Sequence, residues 1–124
     1  MGLEDIDLVN FPTTKGCFKV VQMKIRGRVV VIFASYQELH AKILESYLTQ
    51  LGLKFSRIPI PKFPRLTMPA LTGPDYTVSG MGQIDVDPGI KFFQLPYGRS
   101  VDYNIGVDKG LNQKLKTQLT GWNF

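Results

Sequence analysis

Cysteine and histidine supply many enzymatic nucleophiles and metal ligands, and this sequence has one of each, Cys17 and His40. A structural zinc site needs four ligands, so these two side chains cannot form one by themselves. They could act as a nucleophile and its base, but no third group that would orient the base stands out. His40 falls within a predicted helix, where a half-exposed structural histidine is the ordinary role. We therefore predict no catalytic residue.

Asp85 and Asp87 are the other candidates for chemistry. They are two residues apart, so in an extended chain both carboxylates lie on one side and could hold Mg²⁺ or Ca²⁺ with water. The alternative is a tight turn, because Asp87 begins an Asp-Pro-Gly sequence. The segment 80–82, Gly-Met-Gly, lacks the helix and lysine of a phosphate-binding loop. The sequence predicts no metal site, no cofactor, no small-molecule substrate and no enzymatic activity.

A basic stretch over residues 54–65 has a clearer chemical character. It contains four cations and no acid, with two phenylalanines among them. Cations can neutralise phosphates, and an exposed phenylalanine can stack on an unpaired base. A solvated edge strand, in which charge and proline prevent aggregation, explains the same residues. The candidate RNA-binding residues are Lys54, Arg57, Lys62, Phe63 and Arg65.

The charge of the whole chain points in the same direction. The 124 residues carry a net charge of +5, and ten of the fifteen basic residues lie within 15–65, opposed there only by Glu38 and Glu45. Such a basic half indicates a polyanionic partner, although a soluble protein can be basic without one. A single cysteine excludes an internal disulfide, and no apolar run is long enough to span a membrane.

Residues 17–34 have the pattern of a β-hairpin. The first part, 17–25, is rich in β-forming residues, and 28–33 is a continuous apolar run, as in a strand buried on both faces. Arg26-Gly27 interrupts the pattern, and Gly27 can adopt the positive φ of a tight turn.

The next segment predicts an amphipathic helix over 36–51. Ser35 and Glu38 have the S-x-x-E spacing of a capping box, in which each side chain bonds the backbone amide of the other residue. Leucine, isoleucine and tyrosine then recur at helical spacing, and Gly52 stands where a left-handed terminating residue belongs.

Alternating residues after this helix predict a further strand over 53–60. The apolar stripe of the helix needs a sheet to cover, and we expect a sheet that contains both 28–34 and 53–60. The order strand, helix, strand predicts a βαβ or split βαβ unit in an α/β (α+β) fold.

Prolines and glycines punctuate the rest of the chain. Pro59, Pro61, Pro64 and Pro69 remove backbone donors, which predicts a sheet edge or a loop. We divide the chain into an extended arm over 1–16 and a single domain over 17–124 with an irregular, Gly/Pro-rich second half. In that half we expect short strands near 76–79, 83–86, 90–95 and 100–105, and a short helix over 110–120.

Two short motifs lie close together in the middle of the chain. Residues 41–45 read Ala-Lys-Ile-Leu-Glu, and 58–67 read Ile-Pro-Ile-Pro-Lys-Phe-Pro-Arg-Leu-Thr. Together they resemble the small-subunit ribosomal protein ten family, whose members carry an A-K-I-x-E helix segment and a P-I-P-x-P stretch before a basic residue and a threonine. The resemblance covers about residues 20–68. Two extra residues separate the helix from the prolines, and the family's second full helix and last strand are not evident.

The resemblance implies a ferredoxin-like split βαβ unit, here with a Gly/Pro-rich C-terminal extension, and a hairpin that reaches into RNA. It implies a structural ribosomal protein that binds ribosomal RNA and neighbouring ribosomal proteins, in a mitochondrial rather than a cytoplasmic ribosome. The arm over 1–16 and the end over 122–124 would then pack on neighbouring proteins. The alternative is a small non-catalytic subunit of another multiprotein complex, without RNA contact.

Overall fold

Strands dominate the computed structural model, which describes residues 6–124 and has a mixed α+β fold with two helices. The strands are β1 (Asp7–Val9), β2 (Gly16–Ile25), β3 (Arg28–Ser35), β4 (Arg57–Ile60), β5 (Phe63–Pro69), β6 (Tyr76–Asp87), β7 (Phe92–Phe93), β8 (Arg99–Ser100) and β9 (Ile105–Gly106). The helices are α1 (His40–Gln50) and α2 (Lys109–Gln118).

The predicted hairpin is confirmed. Strands β2 and β3 pair antiparallel from Phe18↔Ser35 to Ile25↔Arg28. Both turn residues have positive φ, 48° at Arg26 and 85° at Gly27. Positive φ at both central positions defines the tight turn whose twist matches that of the paired strands.

The main sheet has five strands in the order β1-β3-β2-β6-β7, and both of its faces are covered. Alternate residues of β2 and β3 enter two separate cores, for example Val21 and Ile32 on one face and Val20 and Phe33 on the other. The prediction that the run 28–33 is buried on both faces is therefore confirmed. Helix α1 and the β4–β5 hairpin cover the first face, and α2 covers the second.

Helix α1 begins later than the sequence predicts, because the capping box does not form. Strand β3 continues through Ser35, whose backbone oxygen accepts from the Glu38 amide at 3.0 Å in a turn. The helix starts at His40, and its N-cap residue, Leu39, has no side-chain cap hydrogen bond. The predicted end is confirmed, since Gly52 has a φ of 69° just after the helix.

The strand after α1 does not join the main sheet, so the expected sheet containing 28–34 and 53–60 is wrong and the split βαβ unit is not confirmed. Strand β4 pairs only with β5, in a separate two-stranded sheet. The reason is that β1 and β2 already occupy both sides of β3. The prediction that the prolines lie on a sheet edge is confirmed, because β4 and β5 form a two-stranded sheet in which each strand has one free edge. Proline has no backbone N–H to donate to a strand on that edge.

The second half of the chain is more regular than predicted. The two short strands expected near 76–79 and 83–86 are one strand, β6, which runs for 12 residues beside β2. Glycine does not end this strand. A Cβ at Gly82 would meet the Tyr97 carbonyl oxygen, so the missing side chain lets a neighbouring segment approach.

The two ends of the described chain pack on the face of the sheet that α2 covers. Helix α2 confirms the helix predicted near 110–120 and buries Leu115. Trp122 contacts the rings of Phe11 and Phe93 at centroid distances of 5.5 and 6.2 Å. The C-terminal tryptophan is therefore covered by its own domain. Part of the predicted arm forms the edge strand β1, and residues 1–5 lie outside the described chain.

Candidate nucleic-acid interface

The β4–β5 hairpin is fixed to the molecule by its inner side. Ile58, Ile60 and Met68 pack on the core that α1 covers. The Tyr103 hydroxyl donates to the Pro69 carbonyl at 2.6 Å, which anchors the end of β5. Apolar packing and a hydrogen bond thus hold the hairpin in one orientation and leave its other side in solvent.

The tip of the hairpin carries exposed cations and apolar side chains. Ile60 lies opposite Phe63, and Pro59 lies opposite Thr67, so 64–66 have no partner in β4 and bulge outward. Phe63 and Leu66 are 59% and 57% exposed. We call Lys62, Phe63 and Arg65 the outer hairpin surface. All five predicted RNA-binding residues are exposed: Lys54, Arg57, Lys62, Phe63 and Arg65.

The structure does not give these five residues one common role. The Arg57 guanidinium donates to Glu45 of α1 at 2.8 Å and lies 5.4 Å from the centre of the Phe55 ring. Its charge is therefore partly neutralised. It also covers the ring of Phe55, one of the two phenylalanines of the basic stretch that could stack on a base. Lys62, in contrast, has no ion pair within residues 6–124, and it lines a cleft together with Lys19 and Arg99.

These cations line one cleft of about 430 Å³, which we call the basic cleft. It lies between β2, the start of α1, the tip of the hairpin and the β8–β9 turn. Arg99 and Lys19 were not predicted as site residues, because they come from β8 and β2, far from 54–65 in sequence. Leu39, Gln83, Ser100 and Val101 also line the cleft, and its charged and aromatic side chains are Lys19, Tyr36, His40, Lys62, Arg99 and Asp102.

His40 forms part of the floor of the basic cleft and is 8% exposed. Its Nε2 lies 2.9 Å from the Gly82 carbonyl oxygen, which can only accept, so Nε2 carries the proton and donates. Burial lowers the pKa of His40, and the nearby Lys19 ammonium lowers it further, against the opposing effect of the hydrogen bond to Gly82. The imidazole is therefore neutral at pH 7, and its hydrogen bond to Gly82 links the start of α1 to β6.

The groups that act on the Cys17 thiol are Asp85, Tyr97 and the Phe18 backbone, and His40 is not among them. Cys17 lies opposite Asp85 in the pairing of β2 with β6, and the Tyr97 hydroxyl donates to Asp85 at 2.8 Å. Burial raises the pKa of the Cys17 thiol to about 11, and the Asp85 carboxylate contributes to the rise. The thiol is protonated at neutral pH, and a protonated thiol is a poor nucleophile.

Cys17 should therefore react slowly with iodoacetamide in the folded protein. We expect its alkylation rate to keep rising up to about pH 11, where the thiol ionises. At neutral pH the folded protein should react about a hundredfold more slowly than the same protein in denaturant. Mass spectrometry at a series of pH values measures this rate, and a plateau below pH 9 would show that burial does not control the thiol.

The pair Asp85 and Asp87 has a structural explanation. The Asp87 carboxylate accepts from the Gly89 amide at 3.0 Å, so the Asp-Pro-Gly turn is confirmed. Lys15 lies 3.9 Å from the same carboxylate. Within residues 6–124, no three His, Cys, Asp or Glu side chains lie close enough together to hold a metal ion.

Comparison with known sequences adds no relative. The sequence matches no protein-family model and no curated protein. Neither helix in the described part of the chain has the length and the apolar character needed to cross a membrane.

Proposed function

We propose that this protein is a non-catalytic RNA-binding component of a ribonucleoprotein particle. The observation that carries the proposal is the outer hairpin surface, where Lys62 and Arg65 flank a phenylalanine that is 59% exposed. Cations there can bind phosphates, and the ring can stack on an unpaired base. The inner side of the hairpin is packed on the core, which lowers the conformational entropy that binding to RNA would cost.

The more specific proposal is a structural ribosomal protein of the small-subunit protein ten type, in a mitochondrial ribosome, with ribosomal RNA and ribosomal proteins as partners. The motifs at 41–45 and 58–67 support it, since they fall on α1 and on the hairpin. In this proposal β3, α1 and β4 are a divergent form of the family's split βαβ unit, in which the strand after the helix pairs with a hairpin partner.

A second candidate is a small non-catalytic subunit of another complex without RNA contact. Leu66 favours it, because this apolar side chain is 57% exposed on the same hairpin as Phe63, which is 59% exposed. Exposed apolar side chains that lie together are typical of a surface that another protein covers. In the first candidate the cations at the tip bind RNA phosphates, whereas in the second they make no contact with RNA.

RNA binding should weaken when the cations of the outer hairpin surface are removed. For the variant Lys62→Gln/Arg65→Gln, we expect similar losses of affinity for many structured RNA sequences, because phosphate contacts carry no sequence information. Each lost contact should flatten the dependence of log affinity on log salt by about one unit, about two in total. Filter binding to ribosomal RNA fragments at several salt concentrations measures both quantities. Arg57→Gln should have a smaller effect, because Glu45 already pairs with this guanidinium.

The matched control is Lys109→Gln/Lys114→Gln, which removes two exposed cations from α2, on the other face of the sheet. It has the same net charge as the hairpin variant. Equal losses of RNA affinity in the two variants would therefore mean that the total charge of the protein, and not the hairpin, determines binding. Normal RNA binding by the hairpin variant would mean that its cations only protect an edge. A parent protein that binds no RNA at low salt, but loses a protein neighbour when Phe63 and Leu66 are changed, would support the second candidate.

A further inference from the structure

The basic cleft brings together parts of the chain that are distant in sequence. Lys19 comes from β2, Lys62 from the tip of the hairpin, Arg99 from β8 and Asp102 from the β8–β9 turn. Strand pairing brings Lys19 near the segment that contains Arg99. Lys19 lies opposite Gln83 of β6, and the Gln83 amide donates to the carbonyl of Tyr97, two residues before Arg99, at 2.8 Å. The cleft is thus a product of the tertiary fold.

The charge in the basic cleft is not balanced within the described chain. Four other cations form ion pairs with carboxylates, while Lys19, Lys62 and Arg99 form none within residues 6–124. Asp102 is the one carboxylate among the lining residues, and His40 is neutral. Three cations against one carboxylate leave the cleft with an excess of positive charge, which a bound anion would offset.

The other lining groups suit the rest of a nucleotide. Tyr36 is 48% exposed at the rim, with the Lys19 ammonium 5.7 Å from its ring centre. Because Lys19 lies over one face of the ring, a base would stack on the other face, next to the cation that binds its phosphate. The carboxylate of Asp102 can accept a hydrogen bond from a ribose hydroxyl or a base amino group. The volume of about 430 Å³ lies within the range of small-ligand sites.

We infer that the basic cleft is a nucleotide subsite that binds one phosphate and the adjoining unpaired base of single-stranded RNA. Lys19, Lys62 and Arg99 bind the phosphate, and Tyr36 stacks on the base. A base within a duplex is already paired and stacked, so the subsite selects single strands. This inference rests on the proposed RNA-binding function and adds to it the strand class that the protein prefers.

The test uses two cations that lie outside the hairpin, so that it is independent of the outer hairpin surface. The probes are a short single-stranded oligoadenylate, adenosine 5′-monophosphate and a blunt RNA duplex. The variant Lys19→Gln/Arg99→Gln should bind the oligoadenylate about tenfold or more weakly than the parent and bind the duplex with nearly unchanged affinity. The control is again Lys109→Gln/Lys114→Gln, which should lose little affinity for the oligoadenylate and equally little for the duplex.

The chain has one histidine and one tryptophan, and they report on opposite faces of the sheet. His40 lies in the basic cleft, while Trp122 packs beside Phe11 and Phe93 on the face that α2 covers. Adenosine 5′-monophosphate should shift the NMR signals of the His40 ring and leave the fluorescence of Trp122 unchanged. The same titration of the Tyr36→Ala variant should show a smaller His40 shift at equal ligand concentration.

The inference is overturned if the double variant binds the oligoadenylate as the parent does, or if it loses equal affinity for oligoadenylate and duplex. It is also overturned if saturating oligoadenylate does not shift the His40 signals. In each of these cases, retained binding of structured RNA by the parent, lost on changing Lys62 and Arg65, would leave the proposed function intact. A parent protein that binds no RNA of any kind overturns both.

Discussion

Replacing Leu44 by arginine is expected to abolish the cooperative unfolding transition of this protein. Leu44 is fully buried at the centre of α1, where the helix packs on the sheet. A guanidinium at this position would either be buried or force the helix off the sheet. Burying a charge without a partner costs several kcal/mol, and a domain of this kind has a total stability of about 5–15 kcal/mol. Circular dichroism during thermal and urea denaturation would show the loss.

The matched control for this substitution is Leu51→Arg, which makes the same chemical change at the C-cap of the same helix. Leu51 is 45% exposed, so the new side chain can stay in water, and a cation at a helix C-terminus interacts favourably with the helix dipole. We expect this variant to differ from the parent by less than about 0.5 kcal/mol. If the two variants unfolded at the same temperature, α1 would bury a different face.

The features that the sequence predicted correctly are those that short-range physics determines. Arg26-Gly27 forms a tight turn because both backbones reach positive φ between two β-forming runs. Gly52 ends α1 because a glycine can adopt a left-handed conformation without a steric penalty. In both cases the deciding interactions lie within a few residues, so no knowledge of the tertiary structure was needed.

The predictions that were wrong involve competition between distant segments. Ser35 had the spacing of a helix cap, but pairing with Phe18 of β2 keeps it in a strand. The segment 53–60 was expected to join 28–34 in the main sheet, but β1 and β2 occupy both sides of β3. No local pattern shows which of two partners a strand or a cap residue will find.

The candidate site likewise has one part that the sequence predicts and one part that depends on the tertiary structure. A contiguous basic stretch is visible in the sequence, and the structure leaves its four basic side chains exposed. The basic cleft was not predictable, since Lys19 and Arg99 reach Lys62 only through the order of the strands. Nor could the sequence show that Glu45 neutralises Arg57, because that ion pair depends on how the hairpin lies against α1.

A buried polar network that fixes α2 to the sheet is the basis of the second large effect. Gln22 of β2 is fully buried, and its Nε2 donates to Asn112 Oδ1 at 2.9 Å. Its Oε1 accepts from the Asp108 amide at 2.7 Å, just before the first turn of α2. Asn112 in turn donates to the Pro96 carbonyl at 2.9 Å. Every polar atom of the Gln22 side chain is therefore satisfied by α2 or the residue before it.

We expect Gln22→Leu to destabilise the protein by about 2–5 kcal/mol. Leucine has a similar volume, so the loss comes from hydrogen bonding rather than from a cavity. The substitution leaves the buried Asn112 Oδ1 and the partly buried Asp108 amide without their partner, and an unsatisfied group costs about 1–3 kcal/mol when it is fully buried. Urea denaturation measures the loss, and hydrogen exchange should show α2 opening more readily than α1, because the network holds α2 alone.

Two further variants separate the network from the loss of a glutamine. Gln113→Leu makes the same change at an exposed position of α2, and we expect an effect below about 0.5 kcal/mol. The double variant Gln22→Leu/Asn112→Leu removes both members of the central hydrogen bond. Its destabilisation should be smaller than the sum of the two single losses by about 0.5–3 kcal/mol, because neither side chain then leaves the other unpaired. Strictly additive losses would mean that the two amides act independently and that packing alone holds α2 on the sheet.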